Sequence, residues 1–274
     1  MKPRSQTFLT HTALILYSFI AIVPVLLIVM NSFKQELSIF DSPFALPTPA
    51  IFSLKGYETV LGNSNFPRYL FNSLLVSGGS IALILLCASM AAFALAEYRF
   101  RLNTLTGLYL ALGVLVPIRL GTVGILGLAK SLHLLDTPWI LILVYTAQGI
   151  PLAVFILTAF MKSVPGSIKE AARIDGAGEY RVFAIVLPMV APALGSVAAI
   201  SLIPIWNDLW FPLILLASDA NKTIVLGTQN FIGQYLNNWG AILAALSLAI
   251  APAVLLYALF SRQLIRGLTE GAVK

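Results

Sequence analysis

Charge is scarce in this chain. Of its 274 residues only 10% are Asp, Glu, Lys or Arg and 59% are apolar; an average soluble domain carries about 25% charged residues. Mean hydropathy is +0.91. A soluble enzyme, a disordered tail protein and a collagen-like fibre are excluded, and the chain requires lipid. Cysteine is almost missing. Cys87 stands alone in the run SIALILLCASMAAF, so no internal disulfide forms, and its plain reading is a small lipid-buried residue. Histidine is almost missing too: His11 and His133 lie far apart, and no metal cluster is visible. A membrane barrel would show ~10-residue segments of alternating polarity. These runs are apolar on every face instead. Prolines 24, 117, 151, 204 and 252 fall inside them, as membrane helices tolerate.

What the chain does have is long charge-free stretches. They predict six spans near residues 12–33, 72–96, 105–126, 138–160, 188–217 and 240–261 of one transmembrane domain, 1–274. At ~1.5 Å per residue, ~20 residues cross the hydrocarbon core. The charges that remain set direction. With the N-terminus in the cytoplasm, eleven Lys and Arg fall on inside segments and six outside. The net charge of +6 therefore reads as topology rather than nucleic-acid binding, with both termini cytoplasmic. The first apolar core is longer than a signal-peptide core and no small-x-small site follows it, so it is expected to be retained. Ala88, Ala92 and Ala96, and Gly78 with Ala82, recur at helical spacing and suit close helix packing.

The longest inside loop is unusual. It covers residues 161–187, and with Pro188 it reads MKSVPGSIKEAARIDGAGEYRVFAIVLP. Pro165 and Ser167 can open a helix. Ile168, Ala171, Ala172 and Asp175 then share one face, and Gly176 and Gly178 end it. A second helix from Glu179 to Val186 runs into Pro188. The pattern fits equally a working helical hairpin or an amphipathic cap on the helices above it.

These residues carry a family resemblance. Glu170-Ala171-Ala172, then Gly176, then Ile185-Val186-Leu187-Pro188 resembles the EAA loop of ABC-importer permeases. Asn72-Ser73, Trp206-Asn207-Asp208 and the tail Gly267 to Lys274 resemble the carbohydrate-importer (maltose-type) branch over residues 55–274. One departure stands out: Pro188 follows Gly176 by twelve residues, where the family pattern has thirteen. A one-residue deletion turns the following helix face by about 100°, which bears on the seating of the second loop helix.

The resemblance implies an all-α membrane protein, a bundle of six transmembrane helices with a cytoplasmic coupling-helix loop between the fourth and fifth. It implies a multi-pass permease of a bacterial-type inner membrane that imports a sugar or sugar-like solute. The expected partners are a second permease, a cytoplasmic ATPase dimer and an extracytoplasmic solute-binding protein. No cofactor is expected on this chain; ATP and Mg belong to the partner ATPase. Glu170, Ala171, Ala172, Asp175 and Gly176 would dock on that ATPase, with Lys169 and Arg173 turned to solvent or lipid headgroups. Gly124 to Ser131 is only a near miss for a phosphate loop, because Ala129 replaces a required glycine and no strand precedes it.

Asp208 is the acid placed deepest in an apolar region, which makes it a functional candidate. It either lines a sugar path with Trp206 and Asn207, or has a structural role, serving the break near Pro204 and Pro212 or pairing with the neighbouring permease. Asn72, Tyr145 and Gln148 are further path candidates, each better suited to a bond between helices than to a substrate contact. In the outer loop, Asn230, Gln234, Tyr235, Asn237 and Asn238 are expected to meet the binding protein. The rival reading is an ion- or proton-coupled secondary transporter, which would call for internal repeats and several intramembrane charges. A membrane enzyme would call for clustered His, Asp, Ser or Cys at span ends, which is not seen.

Overall fold

The computed structural model describes residues 4–62, 65–232 and 238–272. Among them the secondary structure is helical, with one isolated β-bridge between Lys34 and Phe52. In chain order the helices are α1 (Arg4–Asn31), α2 (Glu36–Asp41), α3 (Lys55–Gly62), α4 (Phe66–Glu97), α5 (Asn103–Leu115), α6 (Thr122–Ser131), α7 (Pro138–Ser163), α8 (Gly166–Ile174), α9 (Glu179–Met189), α10 (Ala191–Trp206), α11 (Trp210–Leu215), α12 (Ile224–Thr228) and α13 (Trp239–Ala272). Four helices, α1, α4, α7 and α13, are long and apolar enough to cross a membrane, and the count is six if each of two bent pairs is one span.

The bends correct two expected spans. The third is not one helix over 105–126: α5 and the helical segment from Ile118 to Ser131 meet at 88°. Pro117 explains the break. It has no N–H to give to the ladder and forces Val116 into extended backbone, φ −81 and ψ 116. The fifth, expected over 188–217, is divided twice. α9 and α10 meet at 73°, and the chain leaves the helix again from Asn207 to Leu209 before α11. Pro24, Pro151, Pro188, Pro204 and Pro252 lie inside helices.

Two compact units form, residues 1–67 with 227–251, and residues 68–226 with 252–274. In the first, Lys34 is only 2% exposed. Its ammonium donates to Asn31 Oδ1 at 2.9 Å and to the Ser42 carbonyl at 2.8 Å. Burial holds its pKa below the usual lysine value. Phe33 stacks on Tyr57 with centroids 5.0 Å apart, and the Tyr57 and Ser32 hydroxyls lie 2.8 Å apart. Gly56 packs directly on the Gly240 backbone, where a Cβ would collide with the carbonyl oxygen.

In the second unit the core gathers around α4, α7 and α10. Ala88 and Ala92 are fully buried in it, as their spacing predicts. Gly149 lets Ile84 pass against the backbone of α7. A polar staple closes the loop after α6. Asp136, at φ 59, accepts the amides of Ala217 and Ser218, both at 2.9 Å, and its own amide donates to the Leu215 carbonyl at 2.8 Å.

Candidate functional site

The loop after α7 folds as its sequence predicts. α8 spans Gly166–Ile174 and ends at Asp175. Gly176 takes φ 81, the left-handed conformation that glycine adopts most cheaply. The Gly176 amide then donates to Arg173 O at 3.0 Å and the Ala177 amide to Ala172 O at 2.9 Å. That pair of bonds is a Schellman close, and it satisfies the last carbonyls of α8. α9 starts at once, with Gly178 as its cap residue. The twelve-residue spacing to Pro188 leaves α9 continuous to Met189, and Val182, Val186 and Val190 are all buried at four-residue spacing. Phe183 meets Phe93 of α4 edge-on at 5.4 Å.

The inner face of α8 differs from expectation. Lys169 and Arg173 do not point to solvent or headgroups. Lys169 Nζ lies 2.5 Å from Glu97 Oε2, and Arg173 reaches Glu97 Oε1 at 2.8 Å. The Lys169 and Glu97 side chains are 11% and 12% exposed. Arg173 also makes a two-point contact with Glu179, at 2.9 and 3.1 Å. These bonds, to Glu179 first and Glu97 second, raise the Arg173 pKa further. Tyr98 donates to Glu179 at 2.5 Å, and burial together with that bond pushes its phenol up to about 12. The reason is geometric: residues four apart share a helix face, and the last turn of α4 ends in a carboxylate beneath both cations. Ala172 faces inward with them, packed on the core.

The outer face is the other half of the helix. Glu170, Ala171 and Asp175 are exposed. Glu170 makes no hydrogen bond or ion pair among the described residues. Ala172 turns inward and Ile168 is half-buried, so the expected face of Ile168, Ala171, Ala172 and Asp175 is divided. Two large apolar residues join the outer face instead, Ile174 at 86% exposed and Tyr180 at 83%. Sequence reasoning missed both. Their signal was apolar residues flanking a glycine turn within a charged loop.

The path candidates separate in the same way. Asp208 stands in the break between α10 and α11 and is a hub. Tyr145 donates to its Oδ2 at 2.8 Å, the Phe211 amide to Oδ2 at 3.1 Å and the Trp210 amide to Oδ1 at 3.3 Å. The carboxylate thus satisfies the first two amides of α11 from the residue before its cap, Leu209. Arg119 adds an ion contact at 3.6 Å. Asn207 donates to Ile203 O at 3.0 Å. Trp206 is 2% exposed, so its ring is not offered to a ligand. Trp210 is 42% exposed and its indole N–H donates to Thr122 at 3.1 Å.

Asn207, Asp208, Trp210 and Arg119 line one cavity of about 450 Å³. Tyr145 and Gln148 line another of about 130 Å³, with Gly149 and Pro204. Asn72 lines neither. Its amide donates to the carbonyls of Ala220 and Lys222, both at 2.9 Å, and ties α4 to the segment before α12.

Of the outer-loop candidates, Gln234, Tyr235 and Asn237 lie outside the described residues. Asn230 is exposed. Asn238 caps α13, accepting the Ala241 amide at 2.9 Å. The near-miss phosphate loop, Gly124 to Ser131, is helical as part of α6 and forms no cradle. Among the described residues no group of three or more His, Cys, Asp or Glu is placed to hold a metal ion.

Comparison with known proteins agrees with this architecture. The family described as binding-protein-dependent transport system inner membrane component matches residues 4–270. A putative ABC transporter permease from Caldicellulosiruptor sp. (strain Rt8B.4) is 36% identical, over 95% of this chain and 94% of that protein. The diacetylchitobiose uptake system permease of Streptomyces coelicolor is 32% identical, over 97% of this chain and 88% of that protein. Among solved structures, a bacterial ABC transporter that imports the acidic polysaccharide alginate superposes with a TM-score of 0.82 at 19% identity, covering 96% of this chain and 98% of that one.

Proposed function

The chain belongs to the binding-protein-dependent transport system inner membrane components, as a permease subunit of a sugar ABC importer, and from that premise we propose how it works. α8 is the coupling helix. Glu170, Ala171, Ile174 and Asp175 form the face that seats on a cytoplasmic ATPase, and Gly176 allows the turn behind it. The observation that carries this reading is the two-sidedness of α8: the inner face is ion-paired to Glu97 at the end of α4, while the outer face exposes Ile174 and an unpaired Glu170. An apolar residue ringed by charge, on a helix already fixed from behind, is the anatomy of a docking surface.

ATP and Mg act on the partner ATPase, and closure of an ATPase pair moves this chain against a second permease of different sequence. The two rock between inward-open and outward-open states. A solute-binding protein delivers the sugar from outside, to a surface that includes Asn230 and Asn238. The substrate is an oligosaccharide, the class named for the Streptomyces relative. The Lys and Arg distribution supports a cytoplasmic position for both termini and α8.

A pull-down from detergent-solubilised native membranes tests the reading. This chain as bait is expected to recover a second permease and an ATP-binding subunit, and Glu170→Lys is expected to release the latter. Recovery of this chain alone, in conditions that keep other importers intact, would transfer weight to a secondary transporter driven through Asp208.

A further inference from the structure

Arg119 lies in the short helical turn Ile118–Gly121. It stands at the 88° bend between two halves of an apolar span, yet its side chain is 66% exposed. A guanidinium beside apolar helices is costly to leave against lipid, and it calls for polar contents or a counter-charge. Its ion contact with Asp208 is 3.6 Å, too long for a hydrogen bond, and no other polar contact holds it among the described residues. Its carbon Cζ lies 5.8 Å from the Trp210 ring centroid, which steadies the guanidinium at the cavity wall by cation–π attraction.

The cavity it borders, about 450 Å³, is in the size range of small-molecule sites. What the wall still offers follows by counting used groups. The Asp208 oxygens already meet Tyr145, two amides and Arg119. One of the two Asn207 amide hydrogens and the Trp210 indole N–H are engaged within the chain. Left over are the guanidinium donors of Arg119, the side-chain carbonyl and second amide hydrogen of Asn207 and the exposed part of the Trp210 ring. Donors, one acceptor and an aromatic surface match a pyranose, whose hydroxyls both accept and donate and whose C–H face is apolar.

We propose that this cavity is a saccharide contact site on the transport path, with Arg119 and Asn207 binding hydroxyls and Trp210 stacking, and that it favours neutral over acidic sugars. The selectivity follows from Asp208. Its carboxylate offsets the charge of Arg119, so a uronate entering the cavity meets an anion beside every cation it could use. Asp208 itself is a positioning residue that holds the break in shape. The inference rests on the importer reading above and adds the contact residues and the sugar class.

The test uses cells carrying the complete importer. Uptake of labelled maltotriose, raffinose, diacetylchitobiose and an alginate trisaccharide is measured first. If wild-type cells take up none of them, the importer reading fails and this proposal falls with it. For a transported neutral sugar, Arg119→Gln and Trp210→Ala are each expected to raise KM about tenfold, equivalent to ~1.4 kcal/mol, with the subunit still present in the membrane.

In a Cys87→Ser background, Asn207→Cys is then treated from outside with a membrane-impermeant methanethiosulfonate. The introduced thiol is expected to react, and the transported neutral sugar to slow the reaction. Labelling at one rate with and without sugar overturns the proposal. So does a thiol that never reacts in transporting cells, which would place the cavity against the neighbouring permease. Stronger protection by the alginate trisaccharide than by any neutral sugar overturns the selectivity.

Discussion

Asp136 shows how much one side chain can fasten. Held at φ 59, where Asp and Asn are tolerated better than most residues, it gathers the amides of Ala217 and Ser218. Burial raises its pKa, but the bonds to Ser218, Ala217 and Asn221 together outweigh that, and the net direction is downward. A lowered acid pKa contributes stability above the unfolded value of 3.8 that is lost as pH falls through the lower folded value. Asp136→Asn is therefore expected to destabilise the detergent-solubilised chain by about 1–2 kcal/mol at pH 7. Thermal unfolding is expected to show that difference shrinking as pH drops below 3.8. Gly56→Ala is a different failure at the same scale. Its methyl group would meet the Gly240 carbonyl, and the strain is expected to cost roughly 1–3 kcal/mol in the same assay. The role of Asn72 could not be read from sequence. A polar residue at the head of a span looks alike whether it binds a ligand or, as here, two carbonyls about 150 positions away.

At the scale of elements, α8 and α4 act as one piece. Lys169 and Glu97 are 72 positions apart, so no local pattern announced their contact, and both cations were expected to face outward. The helix itself was legible, because proline, the spacing of apolar residues and two glycines are local signals, and they placed both its ends correctly. Glu97→Gln leaves Lys169 and Arg173 without a carboxylate partner on α4. Sugar uptake is expected to fall severalfold while ATP hydrolysis by the assembled importer continues, because under the proposed coupling the stroke would reach α8 without being passed on. Exchanging the charges, Glu97→Lys with Lys169→Glu, is expected to recover part of the uptake. A role in folding alone would instead lower the amount of subunit and leave the ratio of ATP to sugar unchanged. Gly176→Ala, at φ 81, is expected to strain the turn by about 1 kcal/mol and to weaken recovery of the ATPase more than it lowers the melting temperature of the chain.

For the whole molecule, the membrane class and the number of apolar runs were legible, because charge is so rare that its positions divide the chain. The bends were not. Pro117 reads like Pro24, Pro151 and Pro252, which stay inside helices. Which proline breaks a helix depends on whether packed neighbours restore the lost hydrogen bond, a tertiary matter. Ile174 and Tyr180 belong to this scale as well, since the proposed ATPase contact would cover them. Ile174→Asp is expected to leave the unfolding of the isolated chain unchanged within ~0.5 kcal/mol and to abolish co-purification of the ATP-binding subunit.

Lys34 has a consequence for chemistry rather than for transport. Its amine is shut from solvent and held by Asn31 and Ser42, so an acylating reagent that modifies Lys55 at the surface cannot reach it. Lys34 becomes reactive only when the segment around it opens, and the ratio of the two acylation rates counts how often that happens.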